Sequence, residues 1–225
     1  GVVLTDGRGS PRDSLYKDYT DEEMRLVRFK EQRKAAVVGE FAAQIMLDIP
    51  SRVMKDGSQR GPVDDILAIL QAAKPRFVYT HNLADKHDTH VAVALRVIEA
   101  LRKLDPAERP DQVIGCEVWR ALDWMVDSDK VLMDLSGHEN LQFALLAVFD
   151  SQIAGGKRYD LASMGRRRAN ATYLGTHGVD ATTALNYGMD MTPLMDDIKL
   201  SPAEFVGQFI QRFATDVQER VRRNG

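Results

Sequence analysis

The sequence predicts an α/β fold, a parallel or mostly parallel sheet carrying helices on both faces, and three observations lead there. Short apolar runs of strand length alternate with longer segments of helical periodicity. Three S/T-x-x-E capping boxes, opening at Thr20, Ser136 and Ser201, mark helix starts between those runs. The chain has 225 residues, enough for one sizeable core, and nothing in its composition demands a second domain, so a single domain over 1–225 is expected.

Val2-Val3-Leu4-Thr5-Asp6-Gly7 is an apolar run closed by a turn signal, as a buried parallel strand ends. Residues 8–19 are polar with Gly and Pro, a loop, and the box Thr20–Glu23 then starts a helix to about Val38 with Met24, Val27, Ala35 and Val38 near helical spacing. A short strand is expected at 41–47 and a loop at 49–61. Pro62 suits the first helical position of an amphipathic helix to Ala73, carrying Ile66, Leu67, Ile69 and Leu70. The segment 76–79 reads as a strand, 91–104 as a helix, and 112–119 and 130–135 as two further strands. The box at Ser136 predicts a helix over 141–153 that Gly155-Gly156 ends, and 161–173 predicts another. Residues 174–200, rich in Gly, Thr, Asn and Asp, predict a long loop of the kind that covers a site or carries subunit contacts. The box at Ser201 opens a C-terminal helix over 201–223, with Phe205, Phe209, Ile210, Phe213 and Val217 at apolar positions.

Composition narrows the function classes. Lys+Arg 30 against Asp+Glu 33 gives a net charge of -3, with no global basic field to attract nucleic acid, and Arg166-Arg167-Arg168 reads as a solvated helix face. The single cysteine, Cys116, excludes an internal disulfide framework and fits a reducing compartment. No run reaches the roughly 18 apolar residues of a membrane span, and the first residues lack a signal-peptide pattern, so a cytoplasmic protein is expected.

Chemistry concentrates in Tyr79-Thr80-His81-Asn82-Leu83-Ala84-Asp85-Lys86-His87-Asp88-Thr89-His90, which holds His81, His87 and His90 of the chain's five histidines. It lies where a strand runs into a helix, the position at which open α/β sheets bind ligands. His87 and His90 are spaced i, i+3, so a helix begun by His87 would project both rings from one face. Imidazole is the commonest zinc ligand, and Asp85 and Asp88 are either further ligands or acceptors that fix a ring's tautomer. His138 and His177 read as surface residues, and Trp119 and Trp124 as core or pocket wall.

Thr80-His81-Asn82, followed by Asp85 and by His87-Asp88-Thr89-His90, resembles the third motif of the PIG-L/LmbE-like de-N-acetylases, T-H-N-x-x-D-x-H-x-D-H. Further landmarks keep the family's order: Val2 to Gly7 resembles its second strand, Arg28-Phe29-Lys30-Glu31 its R-x-x-E helix, Glu117-Val118-Trp119 its E-V-W strand, and Ser151-Gln152 its S-Q pattern. The likeness extends over about residues 1 to 190. It implies a Rossmann-like, three-layer fold and a zinc-dependent hydrolase that removes an N-acetyl group from an N-acetylglucosamine-type small molecule or glycoconjugate. It also implies that His90 ligates Zn2+, that His87 faces the scissile amide with Asp88 beside it as catalytic residues, and that Arg28, Asp85 and Asn82 contact substrate. An ion pair with Glu31 or with a neighbouring helix is an equally weighted alternative for Arg28.

The sequence departs from the family in three places. The A-H-P-D-D motif, which supplies the other zinc ligands and the general base, is absent, so the chain is expected to lack its first strand and helix, roughly 30 to 40 residues. H-P-D-H is His87-Asp88-Thr89-His90, with the carboxylate moved one place, and P-D-G is Pro50-Ser51-Arg52. These departures keep open an alternative, a degenerate non-catalytic sugar-binding or assembly protein. Open strand edges would also favour a homo-oligomer.

Overall fold

The computed structural model describes residues 1–225. In chain order its elements are β1 (Val2–Thr5), α1 (Asp21–Val38), β2 (Ile45–Ile49), α2 (Ser51–Lys55), α3 (Gly61–Ala73), β3 (Phe77–His81), α4 (Asp88–Lys103), β4 (Gln112–Cys116), β5 (Lys130–Asp134), α5 (Glu139–Ala147), α6 (Asp150–Ile153), α7 (Tyr159–Tyr173), β6 (Leu185–Asp190), α8 (Thr192–Asp196) and α9 (Pro202–Asn224). Helices and strands alternate as the sequence predicts, and the sheets are open and contain parallel strands. No helix is long and apolar enough to cross a membrane.

Contacts divide the chain into two compact units, Gly1–Asp56 with Asp134–Leu185, and Gly57–Met133 with Asn186–Gly225. In the first, β1 and β2 pair in parallel, Val2 opposite Ile45 and Thr5 opposite Ile49, with a bulge between Val3 and Thr5. Asp48, at φ 56°, sits in the bulged stretch of β2. Helix α1 starts at a capping box: Thr20 Oγ1 accepts from Glu23 N–H at 3.2 Å while the Glu23 carboxylate accepts from Thr20 N–H at 2.8 Å. It packs on α5 and α6, and α7 covers those two.

The box expected at Ser136 does not form. Ser136 Oγ instead donates to Asp134 Oδ1 at 2.6 Å and accepts from Thr183 N–H at 2.9 Å, and a 3₁₀ turn, Ser136–His138, makes Glu139 the first residue of α5. The helix expected over 141–153 is divided by Phe149, whose ψ of 55° leaves the helical region between α5 and α6.

The second unit contains a four-stranded sheet in the order β3-β4-β6-β5. Strands β3 and β4 are parallel, Phe77 opposite Gln112 and His81 opposite Cys116. Strand β6 runs antiparallel to β4, Ile114 opposite Asp190 and Cys116 opposite Gly188. The strands therefore form two sheets where one was expected, and the larger is mixed. The antiparallel strand comes from 174–200, read as a loop, which supplies β6 and α8. Asn186, Gly188 and Asp190 look like turn residues, but Tyr187 and Met189 between them are buried. At Gly188 a Cβ would come within 2.5 Å of Ile114 Cγ2, so only glycine lets β6 approach β4 so closely.

Helix α4 buries Ala94, Val97, Ile98 and Leu101 against α3 and β3. Full burial of a leucine such as Leu101 stabilises the fold by about 1.5–3 kcal/mol. Arg102, near its end, donates to the carbonyls of Leu194, Asp197 and Leu200, tying α8 and its following turn to the helix.

Candidate metal centre

The junction carries the chemistry because β3 ends at His81 and α4 begins at Asp88, leaving six residues to turn. Asn82 secures the start of that turn. It is fully buried, and its main-chain and side-chain N–H groups both donate to the Cys116 carbonyl, at 3.1 and 2.9 Å. Gly115 makes room for it, since a Cβ there would meet Asn82 Cα at 2.9 Å. The Asn82 Oδ1 is buried without a hydrogen-bond partner.

Asp85 is the hub. Its side chain is 0% exposed. Oδ1 accepts from His87 N–H at 3.1 Å, and Oδ2 accepts from Trp119 N–H at 3.1 Å and lies 3.3 Å from His90 Nδ1. Burial pushes its pKa up, but these hydrogen bonds outweigh burial and hold the carboxyl below its ordinary range. The contact at Nδ1 leaves Nε2 as the lone-pair nitrogen of the His90 ring.

His81 stacks on His90 with ring centroids 3.8 Å apart and planes 5° from parallel. Such a stack tolerates two neutral rings far better than two cations. Burial, followed by the neighbouring His90, pushes His81 down to about 4. Burial also lowers His90, against the opposing pull of Asp85. At neutral pH both imidazoles keep their lone pairs. The ligating atoms of His81, Asp85 and His90 all lie within 4.8 Å of one another, so the three could hold a metal ion. Two neutral imidazoles with one carboxylate are a donor set that suits zinc, and the residues fit the metal that the resemblance implies.

The other expected site residues are placed differently. His87 caps α4 in an extended conformation, φ -101° and ψ 111°, so the helix begins one residue after it. Its exposed ring lies 4.5 Å from that of His90. Asp88 is exposed in the first turn of α4, and no hydrogen bond or ion pair joins it to the cluster. Asp85 and Asn82, expected at the substrate, are buried, Asp85 turned to His90 and Asn82 to Cys116. His81 had been assigned no role. Its signal was available, since the last residue of a strand and the first turn of the next helix necessarily lie close.

Arg28 belongs to the first unit. It pairs with Glu31 at 2.5 Å and lies over the Phe149 ring, 5.3 Å from its centre. Glu31 in turn accepts from Ser151 N–H at 2.7 Å and Ser151 Oγ at 2.8 Å. The R-x-x-E and S-Q segments thus meet in one buried network. Burial lowers the Arg28 pKa although Glu31 opposes the shift.

Residues 1–101 match the family model described as PIG-L: GlcNAc-PI de-N-acetylase. No match was found among curated proteins. Among solved structures, the chain is similar to an N,N'-diacetylchitobiose deacetylase from Pyrococcus horikoshii, at 16% identity and TM-score 0.65 over 88% of this chain and 74% of that one. It is similar to a 4-carboxy-2-hydroxymuconate hydratase from Pseudomonas putida, at 15% identity and TM-score 0.62 over 84% of this chain and 82% of that one. It is also similar to an A40926 pseudoaglycone deacetylase, at 13% identity and TM-score 0.56 over 84% of each chain. Over residues 1–101 the chain is similar in sequence to the PIG-L family model, and over most of its length it shares the fold of these structures.

Proposed function

We infer that this protein is a zinc-dependent N-deacetylase acting on an N-acetylglucosamine-type small molecule or glycoconjugate. The observation that carries the reading is the convergence of His81, Asp85 and His90, with His87 beside them, inside the segment that matches a de-N-acetylase family. The two deacetylases among the similar structures support it; the hydratase is a reminder that this fold also hosts other chemistry.

His81 and His90 would hold the metal through imidazole nitrogens, and Asp85 would supply the negative charge while fixing the His90 tautomer. When bound, zinc supplies a Lewis acid and a water of lowered pKa. His87, exposed at the mouth of the cluster, is the group available to donate a hydrogen bond to the developing oxyanion or a proton to the departing amine. Asp88, one residue on, would stand beside His87 in the first turn of α4. The buried Asn82 serves the site by holding the turn.

The test is zinc content by elemental analysis together with acetate release from N,N'-diacetylchitobiose and other N-acetylglucosaminyl compounds, for the wild type and for His81→Ala and His90→Ala. About one zinc per chain, and loss of both zinc and acetate release in each variant, is the expected result. Zinc that survives both substitutions would place the metal elsewhere. A zinc-loaded wild type that binds the sugar and releases no acetate would favour the non-catalytic sugar-binding protein.

A further inference from the structure

Trp119, just beyond β4, touches the cluster twice. Its main-chain N–H donates to Asp85 Oδ2 at 3.1 Å, and its indole stacks on the His87 imidazole with centroids 5.9 Å apart and planes 22° from parallel. Lys86 Nζ lies 6.0 Å from the centre of the same indole, within cation–π range. The turn that carries Trp119 is anchored from inside. The buried Glu117 accepts from Leu122 N–H at 2.9 Å and from Tyr187 N–H at 3.0 Å, which fixes residues 117–122 against β6.

His87 needs such a support. Its ring is exposed and makes no hydrogen bond, so its rotamer is set by the rings beside it, His90 at 4.5 Å and Trp119 at 5.9 Å. His90 is itself committed to Asp85 and to the stack with His81. The indole is the other ring in contact with His87.

We propose that Trp119 is a positioning residue: its indole holds the His87 imidazole in one orientation beside the His81–Asp85–His90 cluster, and its N–H holds the Asp85 carboxylate that orients His90. The catalytic consequence rests on the deacetylase reading; the ring contact does not. Sites work when reactive groups are locked by supporting contacts, and misplacement by about 1 Å can cost on the order of a hundredfold in rate.

The experiment compares the wild type with Trp119→Leu, Trp119→Phe, His87→Ala and the double variant Trp119→Leu/His87→Ala, by proton–carbon NMR of the histidine side chains at one fixed pH and by acetate release from N,N'-diacetylchitobiose. In Trp119→Leu the His87 ring signal should move toward its free-imidazole position as the indole ring current is lost, and Phe should restore part of the displacement. For turnover, Leu should lower kcat about tenfold with KM changed less than about twofold, Phe should recover most of it, and Leu should add nothing once His87 is Ala. An unmoved His87 signal overturns the proposal, and so does an equal loss from Trp119→Leu with and without His87. Should Trp119→Leu fail to fold, Trp119→Phe still changes the ring current, and an unmoved signal there has the same force. If no variant releases acetate, the deacetylase reading fails while the NMR result decides the positioning role alone.

Discussion

In the first unit a partly buried arginine, Arg28, meets a buried glutamate at 2.5 Å, and the two oxygens of that glutamate take the N–H and the hydroxyl of Ser151. In the second unit two neutral imidazoles lie face to face 3.8 Å apart, with a carboxylate 3.3 Å from one of them. The first arrangement is closed around Glu31, whose two oxygens take Arg28 and Ser151 and whose charge cancels that of the arginine. The second is open: Asp85 has three protein contacts where a carboxylate can accept about four, and His81 and His90 gather lone pairs beside it. Buried polar groups that satisfy each other hold a fold together, whereas lone pairs that converge mark a place for a ligand. The resemblance implies a substrate contact for Arg28 and a metal ligand in His90, and the two side chains stand in different surroundings.

The largest effect should come from breaking the closed network. Glu31→Gln keeps an acceptor for Ser151 and removes the charge opposite Arg28, whose side chain is 12% exposed. A buried pair broken on one side costs about 3–5 kcal/mol, and urea denaturation of Glu31→Gln should fall near the lower end of that range. Unchanged stability would mean that Arg28 is neutralised by another group and that its pairing with Glu31 is incidental.

The second effect concerns the floor of the open cluster. Cys116 is the register partner of His81, and burial, reinforced by the Glu117 carboxylate, pushes its thiol up to about 11. An unfolded thiol titrates about two units lower, so at pH 8 the folded chain should react with iodoacetamide roughly a hundredfold more slowly than the chain in urea. The sign for stability follows. The raised pKa contributes stability that is present below about pH 9 and is lost as pH rises from there through 11, because the unfolded thiol ionises first. Equal alkylation rates in the two states would show that β4 is open to water and that the cluster lacks a dry base.

Much of this was legible because it is local. The cluster spans only Tyr79 to His90, and a strand running into a helix brings those residues together whatever the rest of the chain does. Strand β3, helix α4 and the Pro62 start of α3 follow from short-range pattern in the same way. What escaped depends on distant partners. Glu31 reaches Ser151 across 120 positions, and Asp85 reaches the Trp119 N–H across 34. Strand β6 was hidden because its glycine, asparagine and aspartate imitate a turn, and Gly188 is explained by the Ile114 side chain it meets across the sheet.

The smallest effect tests the same boundary between local and tertiary control on the helix that carries Arg28 and Glu31. Thr20 and Ser136 share one sequence signature, yet Thr20 caps α1 while Ser136 is drawn off to Asp134 and Thr183. Loss of a true N-cap costs about 1 kcal/mol, roughly a fivefold change in a local opening equilibrium. Thr20→Ala should therefore speed hydrogen exchange of the Glu23 amide about fivefold, because the hydroxyl that accepts from it is gone. Ser136→Ala should leave the Glu139 amide unchanged, since that residue opens α5 without any side-chain cap. Faster exchange at Glu139 would show that Ser136 caps α5 after all, and that the signature at 136–139 overrides the pull of Asp134. Unchanged exchange at Glu23 would mean that packing of α1 on α5 and α6, rather than its cap, holds the first turn in place, and would move control of the closed network from local sequence to tertiary contact.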